Sequence, residues 1–309
     1  MSASEDTTAL NGAQLNAQKI KSSQTNGVND TYKAPRNNHE YDRLRIQHDM
    51  IRTAMGGKLV MAPIHFQKLD LRILDSATAD GRWLVELSEK LAPSTTLVGV
   101  DLAPKHFIEN RPENVDLRTH SITSPWPEEY QSSFDLVNQR HVLAIFPEET
   151  CETIVKSLVT CVKPGGWIQL HDSDTQAIRV GEKHPAMDRF RKLIDEAWGL
   201  MGYNSSPATK LAGWLKDAGV VEVEEMIVRY DCGPCAEDRV QGQRASFTLL
   251  AMLDNVAYIA QSGRIPGFNA TAEEFRQLRE DLEVELNTVG NRWETRVAWG
   301  RRPLPGESA

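Results

Sequence analysis

Seven residues, Asp75-Ser76-Ala77-Thr78-Ala79-Asp80-Gly81, stand between an apolar run and an amphipathic one. A turn joining a strand to a helix lets backbone N–H groups approach a ligand only if its residues are small. Ala77 and Ala79 occupy positions where glycine is usual in such turns, and Gly81 remains. Asp101 ends the next apolar run, Thr96-Leu97-Val98-Gly99-Val100, 20 residues after Gly81. A carboxylate there can accept hydrogen bonds from both hydroxyls of a ribose. Its competing role is a helix N-cap ahead of Ala103-Pro104. Taken alone the turn is only a tight turn; paired with Asp101 it points to a nucleoside-bearing cofactor.

Two such cofactors fit, NAD and S-adenosylmethionine. The loop lacks the full glycine set that cradles a pyrophosphate. Asp75, at its start, could meet the ammonium or neighbouring polar groups of a methionine moiety. Both features favour S-adenosylmethionine, as does the continuation through a fourth strand-like run, a Pro-Gly-Gly turn and a fifth. His141 and His171 are expected at or just past strand ends, where open α/β sheets bind ligands. Either could act as an acceptor-side base, with Asp172 beside His171; the alternative is a loop polar residue or a satisfied core histidine. Methyl transfer from a sulfonium can draw much of its rate from holding donor and acceptor in line. Cys232-Gly233-Pro234-Cys235 has the spacing of a redox pair, but no βαβ pattern surrounds it, so it reads as a turn with two incidental thiols. Two cysteines are also too few for a structural zinc site, and no metal is expected.

These residues need elements to hold them. Apolar runs at 71–75, 96–101, 115–120, 134–138 and 167–171 predict strands, and the periodicity of 82–91 predicts a helix between the first two. Pro147 opens another helix, expected to end at Pro164-Gly165-Gly166. Helices are predicted at 186–201, 208–218, 240–260 and 272–289, with strands at 221–230 and 293–301. The fold class is therefore α/β: a Rossmann-like, seven-stranded, mostly parallel sheet with helices on both faces, an N-terminal lid helix and a C-terminal helical insertion. Residues 1–35, rich in Ser, Thr, Asn and Gln, read as a disordered tail. Residues 36–65 carry the lid helix, from Tyr41 to about Met55, and residues 66–309 form the main domain, with a helical cap around 236–290. Phe247, Leu250, Met252 and Tyr258 of that cap could line a pocket or pack in the core.

The chain has 309 residues and a net charge of -8. Without Lys or Arg clusters this argues against nucleic acid as a partner. No apolar run is long enough to span a bilayer, the polar N-terminus is no secretory signal, and four cysteines make no disulfide framework. No nucleic-acid or membrane partner is expected, and a reducing, cytoplasmic setting is.

The series Leu74-Asp75-Ser76-Ala77-Thr78-Ala79-Asp80-Gly81, Val98-Gly99-Val100-Asp101, Phe134-Asp135-Leu136-Val137 and Val162-Lys163-Pro164-Gly165-Gly166-Trp167 resembles class I methyltransferases. More narrowly it is similar to the methyltransferases of fungal secondary metabolism, which Arg43-Leu44-Arg45-Ile46-Gln47-His48 and Trp299-Gly300-Arg301-Arg302-Pro303 also resemble. The likeness covers residues 40 to 303. It implies S-adenosyl-L-methionine as cofactor and a small-molecule acceptor methylated on O, N or S. It also implies site roles. Asp75, Ala77, Ala79 and Gly81 match the glycine loop, Asp101 the ribose acid, and Ser121 and Ile122 the adenine clip. Asn138-Gln139-Arg140 match the strand end beside the sulfonium, and Gln47 and His48 a lid. Ser121 stands where the family commonly has Asp. A second reading is a protein of the same fold that binds the cofactor without methylating, as a rearrangement catalyst or regulatory partner; a third is a nicotinamide oxidoreductase.

Overall fold

The computed structural model describes residues 31–307, so residues 1–30 of the tail expected over residues 1–35 lie outside the described residues. Seven strands form one sheet: β1 (Arg72–Ser76), β2 (Thr96–Asp101), β3 (Val115–Thr119), β4 (Phe134–Arg140), β5 (Val162–Asp174), β6 (Val221–Cys232) and β7 (Asn291–Arg301). Their order is β3-β2-β1-β4-β5-β7-β6. The first five pair in parallel and β7 runs antiparallel to both its neighbours. This is the expected seven-stranded, mostly parallel sheet.

Successive side chains of a strand point to opposite faces, and the core divides accordingly. Ile73, Leu97 and Leu136 face one apolar layer while Leu74, Val98 and Val137 face the other. On the first face pack α1 (Asn38–Ala54), α2 (Arg82–Ser88), α4 (Pro185–Met201), α6 (Arg239–Gln261) and α7 (Ala272–Thr288); on the second, α3 (Glu148–Cys161) and α5 (Leu211–Asp217). Coverage on both faces explains why the strands read as continuous apolar runs rather than alternating ones.

β1 pairs with β2 on one side and β4 on the other, so the chain order reverses there. A crevice opens beyond the carboxyl ends of the strands at such a reversal. The helical cap sits over it, with α6 packed on α1 and α7. α1 begins with the Asn37 side chain accepting from the Glu40 N–H, and residues just before it are docked too. The Tyr203 hydroxyl donates to the Thr31 carbonyl (3.0 Å) and Arg264 Nη1 to that of Lys33 (2.8 Å). Among the described residues, no helix is long and apolar enough to cross a membrane.

Several local boundaries differ from the sequence reading, α2 for one ending at Ser88 rather than at 91. α3 ends at Cys161 rather than at the Pro-Gly-Gly turn, because Val162 already pairs with Phe134 and the turn lies within a bulged stretch of β5. The helix expected over 208–218 divides into a 3-10 turn, Pro207–Lys210, and α5.

Gly99, in mid-β2, is where strand, loop and α2 come closest. A Cβ there would lie 2.6 Å from Leu117 Cδ2, 2.8 Å from Leu84 Cδ1 and 3.0 Å from Thr78 Cγ2. Three packed groups cannot all retreat, so Gly99→Ala is expected to lower the unfolding free energy by about 1–3 kcal/mol. Urea denaturation reads this directly, and an unchanged midpoint would contradict the close packing.

Candidate active site

The cavity beyond the strand ends has a volume of about 330 Å³ and is lined by the Asp75–Asp80 loop, Asp101, the 120–123 segment, the end of β4, and α1 and α6. The loop is fixed from below by side chains that share a register. Asp75 lies opposite Asn138 on β4, which lies opposite Gln169 on β5. Asn138 Nδ2 donates to Asp75 Oδ1 (2.7 Å) and Gln169 Nε2 to Asn138 Oδ1 (3.1 Å), while the Thr78 hydroxyl donates to Asp75 Oδ2 (2.6 Å). Burial pushes the Asp75 carboxyl above its ordinary range, opposed by Arg140 and by the Thr78 and Asn138 bonds.

Ala77 and Ala79 have φ of 55° and 57°, in the left-handed region that glycine enters without strain. Gly81 (φ 90°) then starts α2, and a Cβ there would lie 2.7 Å from Leu117 Cδ1. Asp101 holds the other side of the loop. Its Oδ2 accepts from the Ala79 N–H and its Oδ1 from the Ala103 N–H, both at 3.0 Å. It thus staples two turns, and each oxygen has a further lone pair for a ligand. Burial raises its pKa against those two backbone bonds.

Beyond Asp101, Ser121 and Ile122 line the cavity; the Ser121 and Thr123 hydroxyls bond at 2.9 Å. Over the opening lies α1, with Gln47 and His48 in the lining. The Gln47 side chain accepts from Arg43 Nη1 (3.4 Å), and His48 bonds Glu86 through Nε2 and meets Arg140 Nη2 through Nδ1 (3.3 Å). Glu40 anchors the helix, accepting from Arg43, Tyr32 and Asn255 of α6. Burial pushes its carboxyl up, but these bonds outweigh burial and hold it low.

At the far wall His141 follows β4 with φ 51°. Its Nε2 is buried without a hydrogen-bond partner among the described residues, while its backbone N–H donates to the His171 carbonyl (2.8 Å). Burial, aided by Arg140 and Arg43, drives its pKa down to about 3, so the imidazole is neutral at pH 7. Asp172 also lines this wall, accepting from the N–H groups of Leu143 and Ser173; burial lifts its pKa to about 6.

The cavity therefore gathers Asp75, Ala77, Ala79, Asp101, Ser121, Ile122, Gln47 and His141. Gly81, Asn138 and His171 stand outside its lining. Gly81 serves the packing of α2, and Asn138 is spent on the ladder. His171 is buried with Nε2 on the Thr295 hydroxyl at 2.6 Å, the satisfied core arrangement. Of the cap residues expected to line a pocket only Met252 does; Phe247 and Leu250 point off the face made by Thr248, Met252, Asn255 and Ile259, and Tyr258 is exposed. Arg140, which the resemblance sets at the strand end beside the sulfonium, also lines the cavity, as do His120 and Tyr203; Tyr203 carries no local motif by which the sequence could have found it. The Cys232 thiol is free, and burial pushes it up to about 12, away from the lowered pKa of a reactive thiol.

Comparison with known proteins gives a match to a methyltransferase domain over residues 46–225. The N-methyltransferase tcpN of Claviceps purpurea is 40% identical over 271 residues, covering 86% of this chain and 95% of that one. The N-methyltransferase gliN of Aspergillus fumigatus is 35% identical over 268 residues (85% and 94%), and sirN of Leptosphaeria maculans, also an N-methyltransferase, is 35% identical over 282 (89% and 98%).

Two outcomes follow from the geometry. Asp101→Ala frees two backbone N–H groups from a charged acceptor and is expected to cost about 1–3 kcal/mol of stability even without ligand; a melting temperature equal to wild type would mean the staple is slack. The second concerns pH. The pKa of His141 is depressed on folding, so its contribution is fully present above about pH 6.5 and is lost as pH falls toward 3. The stability difference between wild type and His141→Gln should therefore shift against wild type by about 1.4 kcal/mol per pH unit between pH 6 and 4. An unchanged stability difference at pH 6 and pH 4 would show that His141 titrates normally.

Proposed function

The chain belongs to the methyltransferase-domain family and is a methyltransferase, and from that premise we propose that it moves a methyl group from S-adenosylmethionine to a nitrogen of a small secondary metabolite. The observation that carries this reading is one cavity that joins a nucleoside-type loop to an apolar wall bearing an unpartnered neutral imidazole. The donor set fits the cofactor. Asp101 would take the ribose diol with its remaining lone pairs, the Ala77–Ala79 backbone would lie along the nucleoside, and Ser121 with Ile122 would hold the adenine. When bound, the cofactor supplies an electrophilic methyl on a sulfonium whose leaving group is a neutral thioether.

On the acceptor side, His141 lines the cavity with an imidazole that would accept the hydrogen bond, and then the proton, of an acceptor N–H. Being neutral at pH 7 it needs no prior deprotonation, and a strained backbone fixes its aim. Asp172, bound by two backbone N–H groups, helps set the polar end of that wall. Ile145, Phe146, Ile178, Leu249 and Met252 give the rest an apolar lining suited to a hydrophobic acceptor. Preference for nitrogen over oxygen or sulfur is supported by the names of the relatives. Four free thiols suit a reducing compartment such as the cytoplasm.

Titration calorimetry with S-adenosylmethionine, S-adenosylhomocysteine and NADH tests the cofactor: the first two should bind and NADH should not. Transfer of labelled methyl to a panel of amines, amides, phenols and thiols tests the acceptor, and product only from phenols or thiols would overturn the nitrogen assignment. His141→Ala should lower kcat by about a hundredfold or more while nucleoside affinity stays within about twofold, under ~0.4 kcal/mol. A variant with wild-type kcat removes His141 from the chemistry.

A further inference from the structure

Three polar side chains cross the apolar layer next to His141: His171 of β5, Thr295 of β7 and Tyr230 of β6, each no more than 3% exposed. His171 pairs with Val297, and Thr295 lies two residues before Val297. Thr295 in turn pairs with Val228, and Tyr230 lies two residues after Val228. Offsets of two keep all three side chains on one face of the sheet, among Val228, Trp293 and Val297 of the core. His171 Nε2 and the Thr295 hydroxyl lie 2.6 Å apart, and the Thr295 and Tyr230 hydroxyls 3.0 Å apart. Hydrogen-bond capacity sets the direction of this chain. If His171 Nε2–H donated to Thr295, Thr295 would donate to Tyr230, and the buried Tyr230 proton would have no acceptor among the described residues. The opposite order, Tyr230 to Thr295 to His171, orphans no proton. Burial raises the Tyr230 pKa against the Thr295 bond and the field of Arg140, so the phenol keeps the proton it donates. His171 Nε2 is then an acceptor and the ring proton sits on Nδ1. Burial holds this imidazole neutral, with His141 and Arg140 acting in the same sense.

Resting on the reading of His141 as the acceptor-side base, we propose that His171 is its positioning residue: the Tyr230–Thr295–His171 chain fixes one tautomer and one ring orientation against His141, and so gives the His141 imidazole a single aim. The two histidine rings meet, with centres 4.7 Å apart and planes at 48°. The turn that carries His141 is wrapped on the end of β5. The His141 N–H donates to the His171 carbonyl (2.8 Å) and the Leu143 N–H to Asp172 Oδ2 (2.9 Å). His141 has a φ of 51°, a conformation that a residue other than glycine keeps only where its surroundings impose it. A polar chain in an apolar layer is rigid when every member is satisfied. This one ends against the histidine that lines the cavity, and His171 itself stands behind that wall.

Nitrogen NMR on histidine-labelled protein reads where each ring proton sits. Wild type should carry the His171 proton on Nδ1 alone and give His141 one set of signals. Thr295→Val keeps the shape and removes the hydroxyl, so the His141 signals should broaden or split. Its kcat, with the nitrogen acceptor drawn from the labelled-methyl panel, should fall about ten- to a hundredfold. Affinity for S-adenosylhomocysteine should stay within about twofold, which also reports that the variant is folded. Thr295→Ser restores the hydroxyl and should recover most of the rate. Tyr230→Phe, the milder change, removes the outer donor and should leave His171 with both tautomers. In a His141→Ala background Thr295→Val should lower kcat no further, because a residue that acts through His141 has nothing left to position. Any of five results overturns the proposal: a His171 proton on Nε2 in wild type, a single tautomer in Tyr230→Phe, wild-type kcat in Thr295→Val, no recovery in Thr295→Ser, or an equal loss in the His141→Ala background. If His141→Ala itself keeps wild-type kcat, the reading of His141 as a base falls. The NMR signals of Thr295→Val then still decide whether His171 holds His141, and unchanged signals overturn that as well.

Discussion

A carboxylate buried under the loop that follows β1 is the constraint from which the cavity is built. Asp75 is 2% exposed and cannot lose its partners without leaving charge in an apolar interior. It therefore fixes what stands beside it: Asn138 one strand over, Gln169 one strand further, and Thr78 above. Gln169 extends the line, accepting from the Met61 N–H (2.6 Å) and donating to the Leu59 carbonyl (3.2 Å). A polar ladder thus crosses β1, β4 and β5 to the segment that follows α1. In a low-dielectric setting such a chain is rigid when complete and destabilising when broken. Its completeness lets the loop hold a strained shape.

That strain is concentrated where it can be used. Six non-glycine residues among those described have positive φ, and Ala77, Ala79 and His141 all line the cavity. The two alanines hold the backbone in this shape without the freedom of glycine, at a cost of about 1–2 kcal/mol each. The ladder below and the Asp101 staple above supply the restraint. Alanine in place of glycine at the loop is compatible with a methyltransferase because the surrounding side chains impose the geometry that glycine would merely permit.

The covering of the cavity depends on a second polar cluster. Glu40 joins α1 to α6 through Asn255, while Tyr32 and Arg43 satisfy its remaining capacity. The segment before α1 is tied to Tyr203 and Arg264 on the cap side. α1, the segment before it and α6 are thus joined by polar contacts above the cavity. Hydrogen bonds from Arg43 and Asn255 keep Glu40 ionised despite burial, which makes the stitch a charge-assisted one.

The sequence by itself determined the order of strands and helices, the small-residue loop after β1, the carboxylate at the end of β2, and the likeness to methyltransferases. Each of these is local: apolar periodicity, turn chemistry and a spacing of a few tens of residues all survive in a linear text. Tertiary structure alone decided which polar side chains serve the ligand and which serve the fold. Asn138 lies in the matching motif but is consumed by Asp75, 63 positions away, and His171 is consumed by Thr295, 124 positions away. Asn255 meets Glu40 across 215 positions. Among the described residues Arg140 makes no ion pair, because the carboxylates around it are engaged with other side chains and backbone groups. Hydrogen-bond capacity is finite and buried groups must use it, so a residue's availability to a ligand depends on partners that chain order does not specify.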